Sequence, residues 1–332
     1  MLTRFLDQAM DWMVLPGYSS VGYRVRKRLL PRGPIDVSGR SVMVTGANSG
    51  IGEAVCSELA RKGARVHMVV RSRERGEQAL ERITEASGSK AIEFHLCNVS
   101  SLASVREFAF DFLASDASLD VLINNAGVLP AERTHTEEGF ELTFATNVLG
   151  PFLLTALLLP ALRRSAPSRV INVSSGGMYT ARIDLDDPQL QRRDFDGARF
   201  YAHTKRAQVI LSEEWGRRLA DDGITVHSTH PGWVATPGVA ASLPRFNRVM
   251  GPLLRDASAG ADTIVWLAGS TDAARTTGEF WHDRRPRPKH RFPWTRETPA
   301  ERSRFFDLCE GLCGLPPGRA TASTKRTHSE GG

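Results

Sequence analysis

Apolar and polar positions along the chain alternate between two periods. Short apolar runs at Ser41–Thr45, Arg65–Val70, Ala91–Leu96, Asp120–Ile123, Arg169–Val173 and Ile224–Thr229 have the length of strands. Between them, apolar residues recur three and four apart over Ile51–Lys62, Glu74–Ala86, Leu102–Ala114, Glu137–Arg163 and Tyr201–Ala220, which predicts helices. Strands alternating with helices of this length need crossover connections, and those are right-handed. The pattern predicts an α/β fold with a doubly wound parallel sheet of Rossmann type, in a single domain over 37–315. A basic extension precedes it over 1–36, and residues 316–332, rich in Gly, Ser, Thr and Arg, are expected to form a disordered tail.

In the first extension Leu2, Phe5, Leu6, Ala9, Met10 and Met13 recur at helical spacing, with Arg4, Asp7 and Asp11 opposite. The following stretch, Tyr18 to Leu30, carries Arg24, Arg26, Lys27 and Arg28. Two placements fit: packed on the body, or lying on an anionic membrane surface in peripheral contact through 1–30. Asp7 and Asp11 argue against a mitochondrial presequence and a secretory signal. The longest apolar run, Val148 to Leu162, is broken by Gly150, Pro151 and Pro160 and is too short to span a bilayer. A cytoplasmic location, with or without membrane association, is the expectation.

Charge sharpens this picture. The formal net charge of +6 is carried by the ends: 1–40 hold seven basic and three acidic residues, 281–332 eleven and six. A fold that grips nucleic acid carries its surplus within the fold. The stretch Arg284–His290, with prolines at alternate positions, is expected to be extended, as a lid edge or surface arm, and lacks the aromatic platform of a nucleic-acid site. No nucleic-acid partner is expected. Cys56, Cys97, Cys309 and Cys313 suit free thiols in a reducing compartment, and no metal site is expected. The acidic residues between Met178 and Phe200 (Asp184, Asp186, Asp187, Asp194, Asp196) read as solvated turns.

The candidate chemistry stands at the carboxyl ends of the predicted strands, where doubly wound sheets bind ligands. The first ends in Thr45-Gly46-Ala47-Asn48-Ser49-Gly50-Ile51-Gly52: glycines for a tight turn, for backbone approach to a diphosphate and for close helix packing. The second ends at Val70-Arg71, with a guanidinium where an NAD-selective site would carry Asp or Glu, so NADP(H) is expected over NAD. The fourth ends in Asn124-Asn125-Ala126-Gly127 and the fifth in Ser174-Ser175. Tyr201 and Lys205, four apart, share a helix face. A lysine beside a tyrosine favours the phenolate and brings it toward the range for acid–base work, with Ser175 bonding the substrate oxygen.

From Arg40 to Trp281 these residues resemble the short-chain dehydrogenase/reductase family, in its short single-domain subtype with TGxxxGxG and YxxxK. The resemblance implies hydride transfer between NADP(H) and a carbonyl or alcohol. It gives Tyr201 the proton, Lys205 the nicotinamide ribose, Ser175 the substrate oxygen and Asn147 a proton-relay water. It implies cofactor contacts at Thr45, Gly46, Asn48, Ser49, Gly50, Ile51, Gly52, Arg71, Asn98, Val99, Asn125, Ala126, Gly127, Tyr201 and Lys205. For the nicotinamide half it adds Pro231, Gly232, Trp233, Val234 and Thr236. Asn98 stands where the family usually has an acid facing the adenine. The resemblance also implies a homo-oligomer.

Residues 238–256 carry an apolar stripe (Val239, Leu243, Phe246, Val249, Met250, Leu253, Leu254) that fits either a lid over a lipophilic, retinoid-, steroid- or lipid-like substrate or packing on the body. A second functional reading keeps the cofactor motifs without turnover: a nucleotide-binding sensor held at a membrane or partner by its N-terminal helix.

Overall fold

The computed structural model describes residues 13, 17–30, 33–115, 117–242 and 244–321. The amphipathic helix expected over Leu2–Met13 lies outside the described residues, apart from Met13. Among the described residues, eight strands form one sheet: β1 Ser41–Thr45, β2 Arg65–Val70, β3 Ile92–Leu96, β4 Val121–Asn124, β5 Ser168–Val173, β6 Ile224–Thr229, β7 Phe280–His282 and β8 Arg285–Arg287. Their order is β3-β2-β1-β4-β5-β6-β7-β8, parallel up to β7, with β8 antiparallel at the edge. The chain reverses its direction of travel between β1 and β4, so the ligand crevice of a doubly wound sheet opens above those strands.

Apolar side chains of the central strands alternate between two cores. Val42, Val44, Val121, Ile123 and Ile171 face helices α2 (Gly50–Arg61), α3 (Arg73–Ser87) and α9 (Ala257–Gly269). Met43, Leu122 and Val170 face α4 (Leu102–Ala114), α5 (Leu142–Arg164) and α6 (Gly197–Arg218). Strands covered on both faces read as continuous apolar runs, which is why the strand predictions hold. The long helix starts at Leu142, not Glu137, because the Glu141 carboxylate accepts the N–H groups of Thr143 (2.9 Å) and Phe144 (2.8 Å) and caps it there. That helix is long and apolar enough to cross a bilayer, yet 83% of its most apolar window is buried inside the protein, which makes it a core helix.

The described part of the N-terminal arm, residues 17–30, packs on the body. Helix α1 (Ser20–Lys27) turns Gly22, Tyr23 and Arg26 inward. Arg26, 2% exposed, pairs with the equally buried Asp283 at 2.9 Å. Asp283 also takes Arg255 at 2.6 Å. Arg255 in turn donates to the carbonyl oxygens of Gly17 (3.1 Å), Tyr18 (3.1 Å) and Pro231 (3.4 Å). Tyr18 lies edge-on to His230, Trp233 and His282. Of the basic cluster only Arg24, Lys27 and Arg28 face solvent.

The C-terminal basic stretch is likewise part of the sheet. Arg285–Arg287 form β8, Arg284 pairs with Asp262 at 2.6 Å, and Lys289 meets Glu213 at 3.3 Å. The extended arm expected at the surface is therefore an edge strand fixed by ion pairs. Helix α10 (Pro299–Leu312) packs Phe306 against Phe152 and Trp215. Residues 318–320, expected within a disordered tail from 316, are held to the body. The Glu310 carboxylate accepts the N–H groups of Gly318 (2.8 Å) and Ala320 (2.7 Å), and Ala320 is buried; residues 322–332 lie outside the described residues. All four cysteines are free and buried.

Candidate active site

Every sequence-predicted site residue lies at the carboxyl end of a strand or on a helix facing that end. Thr45 ends β1, and Asn48, Ser49, Gly50, Ile51 and Gly52 carry the chain into α2. Gly46 has φ +65°, a left-handed turn that costs a side-chain residue dearly. Gly52 packs so closely under the Gly46 carbonyl that a β-carbon would overlap it. Ser49 leaves the first turn of α2 without a side-chain cap, so its N–H groups face the turn. Thr45 Oγ1 accepts the N–H groups of Asn125 and Ala126, both at 3.0 Å, and Asn125 Nδ2 donates to the Thr45 carbonyl at 2.9 Å. These bonds lock the ends of β1 and β4 together, and Gly127 extends from them to within reach of Asn147 Oδ1 and Lys205 Nζ.

Arg71, exposed, follows the last residue of β2. Asn98 and Val99 follow β3 by two and three positions. The Asn98 side-chain oxygen accepts from Ser100 Oγ (2.8 Å) and Ser100 N (3.3 Å), so the acceptor half of its amide is spent within its own turn.

Across the crevice, Ser175 lies two residues past β5, and its side chain acts on the Tyr201 phenol, lowering its pKa. Tyr201 and Lys205 lie one turn apart on α6, with Nζ 5.3 Å from the centre of the tyrosine ring. Asp196 caps that helix by accepting the Arg199 N–H, and Asp184 and Asp187 accept backbone N–H groups of their own loop, so the acidic residues there serve turns. Burial pushes the Tyr201 phenol up to about 12, opposed by the Ser175 side chain. Burial pulls the Lys205 ammonium down to about 7. The expectation that Lys205 lowers the phenol is thus not met in the chain by itself. Taking the amine out of water costs it much of the charge that would do so, and its Nζ bonds to the Val173 carbonyl (2.7 Å) and Gln208 Oε1 (3.0 Å).

Asn147 sits in a π-helical segment, Ala145–Leu149, within α5, a distortion common where a helix presents functional groups. Both ends of its side-chain amide have protein partners: Oδ1 accepts from Val128 N (2.9 Å), and Nδ2 donates to Thr204 Oγ1 (3.0 Å) and the Val128 carbonyl (3.2 Å). Its main-chain carbonyl accepts from Gln208 Nε2 at 2.8 Å. Gln208 therefore bridges Lys205 to Asn147. Sequence reasoning missed it, although three residues past Lys205 it lies on the same helix face.

The loop after β6 closes the crevice. Thr236 stands against Gly50, within 3.2 Å of where a β-carbon would project, and Val234 is buried beside Gly260. Pro231, Gly232 and Trp233 are held from behind: Trp233 N donates to the Tyr18 carbonyl at 2.9 Å, and the Trp233 carbonyl accepts from Arg255 N at 2.7 Å. Gly232, at φ +87°, passes directly over the Arg255 guanidinium. Gly176, next to Ser175, faces the Tyr18 ring, which a β-carbon would approach to 2.7 Å. Tyr18 and Arg255 thus support this side of the crevice. No local pattern marks them, since Tyr18 and Arg255 meet across 237 positions of sequence. Along the stripe the described residues are helical over Pro237–Ser242 (α7) and Pro244–Met250 (α8). Phe246 packs edge-on to Trp233, while Val249 faces solvent. Leu243 and the side chain of Val239 lie outside the described residues.

The glycine turn with its open helix end, the small floor at Gly127 and the Ser175–Tyr201–Lys205 wall fit a nicotinamide dinucleotide. Comparison with known proteins agrees. Residues 40–185 match the short chain dehydrogenase family model. The chain is 44% identical over 281 residues to Dehydrogenase/reductase SDR family member 12 of Bos taurus, covering 84% of this chain and 87% of that protein. It is 37% identical over 251 residues to Retinol dehydrogenase 12 of Mus musculus, covering 75% and 79%. The solved Pseudomonas aeruginosa RhlG/NADP active-site complex superposes with a TM-score of 0.62 at 27% identity, over 75% of this chain and 96% of that one. The chain belongs to the short-chain dehydrogenase/reductase family and is an oxidoreductase acting on CH–OH and C=O groups.

Proposed function

We propose that the protein transfers hydride between NADP(H) and a lipophilic carbonyl or alcohol, with Tyr201 as the acid–base group. The convergence of Ser175, Tyr201 and Lys205 on one wall of the crevice carries this reading. The N–H groups of the Thr45–Gly52 turn would hold the diphosphate and Arg71 a 2′-phosphate. Asn98 and Val99 would face the adenine, Asn125–Gly127 and Lys205 the nicotinamide ribose, and Pro231, Gly232, Trp233, Val234 and Thr236 the nicotinamide. When bound, the nicotinamide supplies or takes up the hydride.

The chain's own residues handle the proton. With its phenol up at about 12, Tyr201 is protonated at neutral pH and is set as the donor in carbonyl reduction. Ser175, whose side chain lowers the pKa of the phenol, would fix the substrate oxygen. Lys205, when protonated, stabilises the phenolate left behind. Gln208 is a positioning residue: its amide oxygen accepts from Lys205 and its amide nitrogen donates to the Asn147 carbonyl, so the amine cannot swing away from the ring. The lipophilic substrate rests on Phe246 over Trp233 and on the retinol dehydrogenase named among the relatives. For NADP(H), the support is Arg71 at the end of β2 and the NADP of the RhlG complex.

Membrane contact belongs to the outer face of α1. Val21 and Val25 are each 50% exposed and Leu29 37%, spaced four apart, with Arg24, Lys27 and Arg28 exposed beside them. An apolar stripe with cations along it suits an anionic bilayer surface.

Three outcomes are expected. Tyr201→Phe lowers turnover of lipophilic aldehydes and ketones by at least about 100-fold while NADPH binding, followed by its fluorescence, is unchanged; turnover near wild type refutes the role. If the wild-type chain binds NADPH but turns over no member of such a panel, the sensor reading replaces the enzymatic one. Arg71→Asp lowers NADPH affinity about tenfold or more and spares NADH, and intact NADPH affinity would overturn the preference. Purified protein should float with vesicles rich in phosphatidylserine, and the triple change Val21→Ser, Val25→Ser, Leu29→Ser should abolish flotation; equal flotation of both proteins rules out this face.

A further inference from the structure

On the β3 edge of the sheet, two strands bring together three side chains that hydride transfer does not use. His67 of β2 stands opposite Glu93 of β3 in the parallel register, and His95 follows two residues on, on the same face. His67 Nε2 shares a hydrogen bond of 3.0 Å with the Ser41 hydroxyl, which turns Nδ1 toward β3. There Nδ1 lies 2.9 Å from Glu93 Oε1 and 3.1 Å from His95 Nε2. One ligand atom from each of the three residues falls within 4.8 Å of the other two. We propose that His67, Glu93 and His95 bind a divalent transition metal of the zinc type.

The geometry suits such an ion. Bonds of about 2.0–2.1 Å in a tetrahedron separate neighbouring ligand atoms by about 3.3 Å, so the two spacings at His67 Nδ1 need to open by only a few tenths of an ångström. Two imidazoles and a carboxylate favour zinc, copper or nickel over magnesium, which prefers an oxygen cage and retains its waters. Burial keeps both imidazoles below their ordinary pKa, so each presents a lone pair at neutral pH. The Ser41 hydroxyl fixes the outer nitrogen of His67, the kind of second contact that orients a ligating imidazole. Phe112 packs edge-on to His67 at 5.3 Å and Phe108 lies 5.5 Å from His95, which limits water on the inner side. Glu93 is exposed, so the fourth position opens to solvent.

Two facts set the terms of the test. The Arg65 charge acts on His67 against any cation. A proton shared between His67 and its neighbours also satisfies the contacts without metal, and is the competing occupant. A bound ion would clip the edge strand β3 to β2, whose ends carry Asn98 and Arg71.

The test uses the untagged full chain, stripped with chelator and titrated with zinc chloride by calorimetry, with thermal unfolding as a second readout. We expect one zinc per chain and a midpoint raised by about 3–5 °C at zinc about 100-fold above its dissociation constant. His95→Ala removes both effects and Glu93→Gln weakens binding at least about tenfold. These positions are exposed or partly so, and both variants should fold and bind NADPH as the wild type does. No zinc binding to the wild type, which leaves the shared proton as occupant, overturns the proposal, as does binding that survives His95→Ala.

Discussion

One buried carboxylate organises the side of the molecule where the nicotinamide would lie. Asp283, 1% exposed, accepts from Arg26 of the N-terminal arm and from Arg255 before α9, and lies beside His282. These charges hold its carboxyl far below the usual carboxylate range despite burial. Two buried guanidiniums around one carboxylate are tolerable only with further acceptors, and the carbonyls of Gly17, Tyr18 and Pro231 supply them. The turn that presents Asp283 is itself strained: Asp283 and Arg284 have φ of 49° and 52°, values rarely taken by residues other than glycine. The ion pairs Asp283–Arg255 and Arg284–Asp262 hold both residues there. Breaking such a cluster from one side leaves a charge stranded, at a cost of about 3–5 kcal/mol.

From this hub the wall of Ser175, Tyr201 and Lys205 is reached in two steps. Arg255 and the Tyr18 carbonyl hold Trp233 and Gly232, and the Tyr18 ring backs Gly176 next to Ser175. On the opposite side, Gln208 and the Val173 carbonyl fix Lys205 beneath the Tyr201 ring. Burial then moves the two titrating groups in opposite directions, the phenol up and the amine down. The protein alone thus favours a neutral phenol, ready to donate.

The sheet and its motif-bearing strand ends were legible because a parallel sheet buried on both faces writes itself as apolar runs, and because turn, anion and acid–base chemistry each demand particular residue types at short spacing. Thr45–Gly52 and Tyr201/Lys205 are of this kind. The start of α5 is not legible from periodicity, because a buried Glu141 caps it. The arm, the hub and β8 were not legible, since Arg26, Arg255 and Asp283 lie far apart in sequence and read singly as surface charges. The same holds for His67 and Glu93, joined only by strand register. By position in the sequence, the +6 falls on two basic flanks outside the core. Part of it, at Arg26, Arg284 and Arg287, is inside the fold.

If the Asp283 cluster governs the cofactor loop, the most direct measurement is amide hydrogen exchange over 230–233 in Asp283→Asn against the wild type. The Trp233 amide, which donates to the Tyr18 carbonyl, should lose its protection together with its neighbours, while the amides of β1, β4 and β5 keep theirs. Unchanged exchange at Trp233 in a folded Asp283→Asn protein would contradict the account.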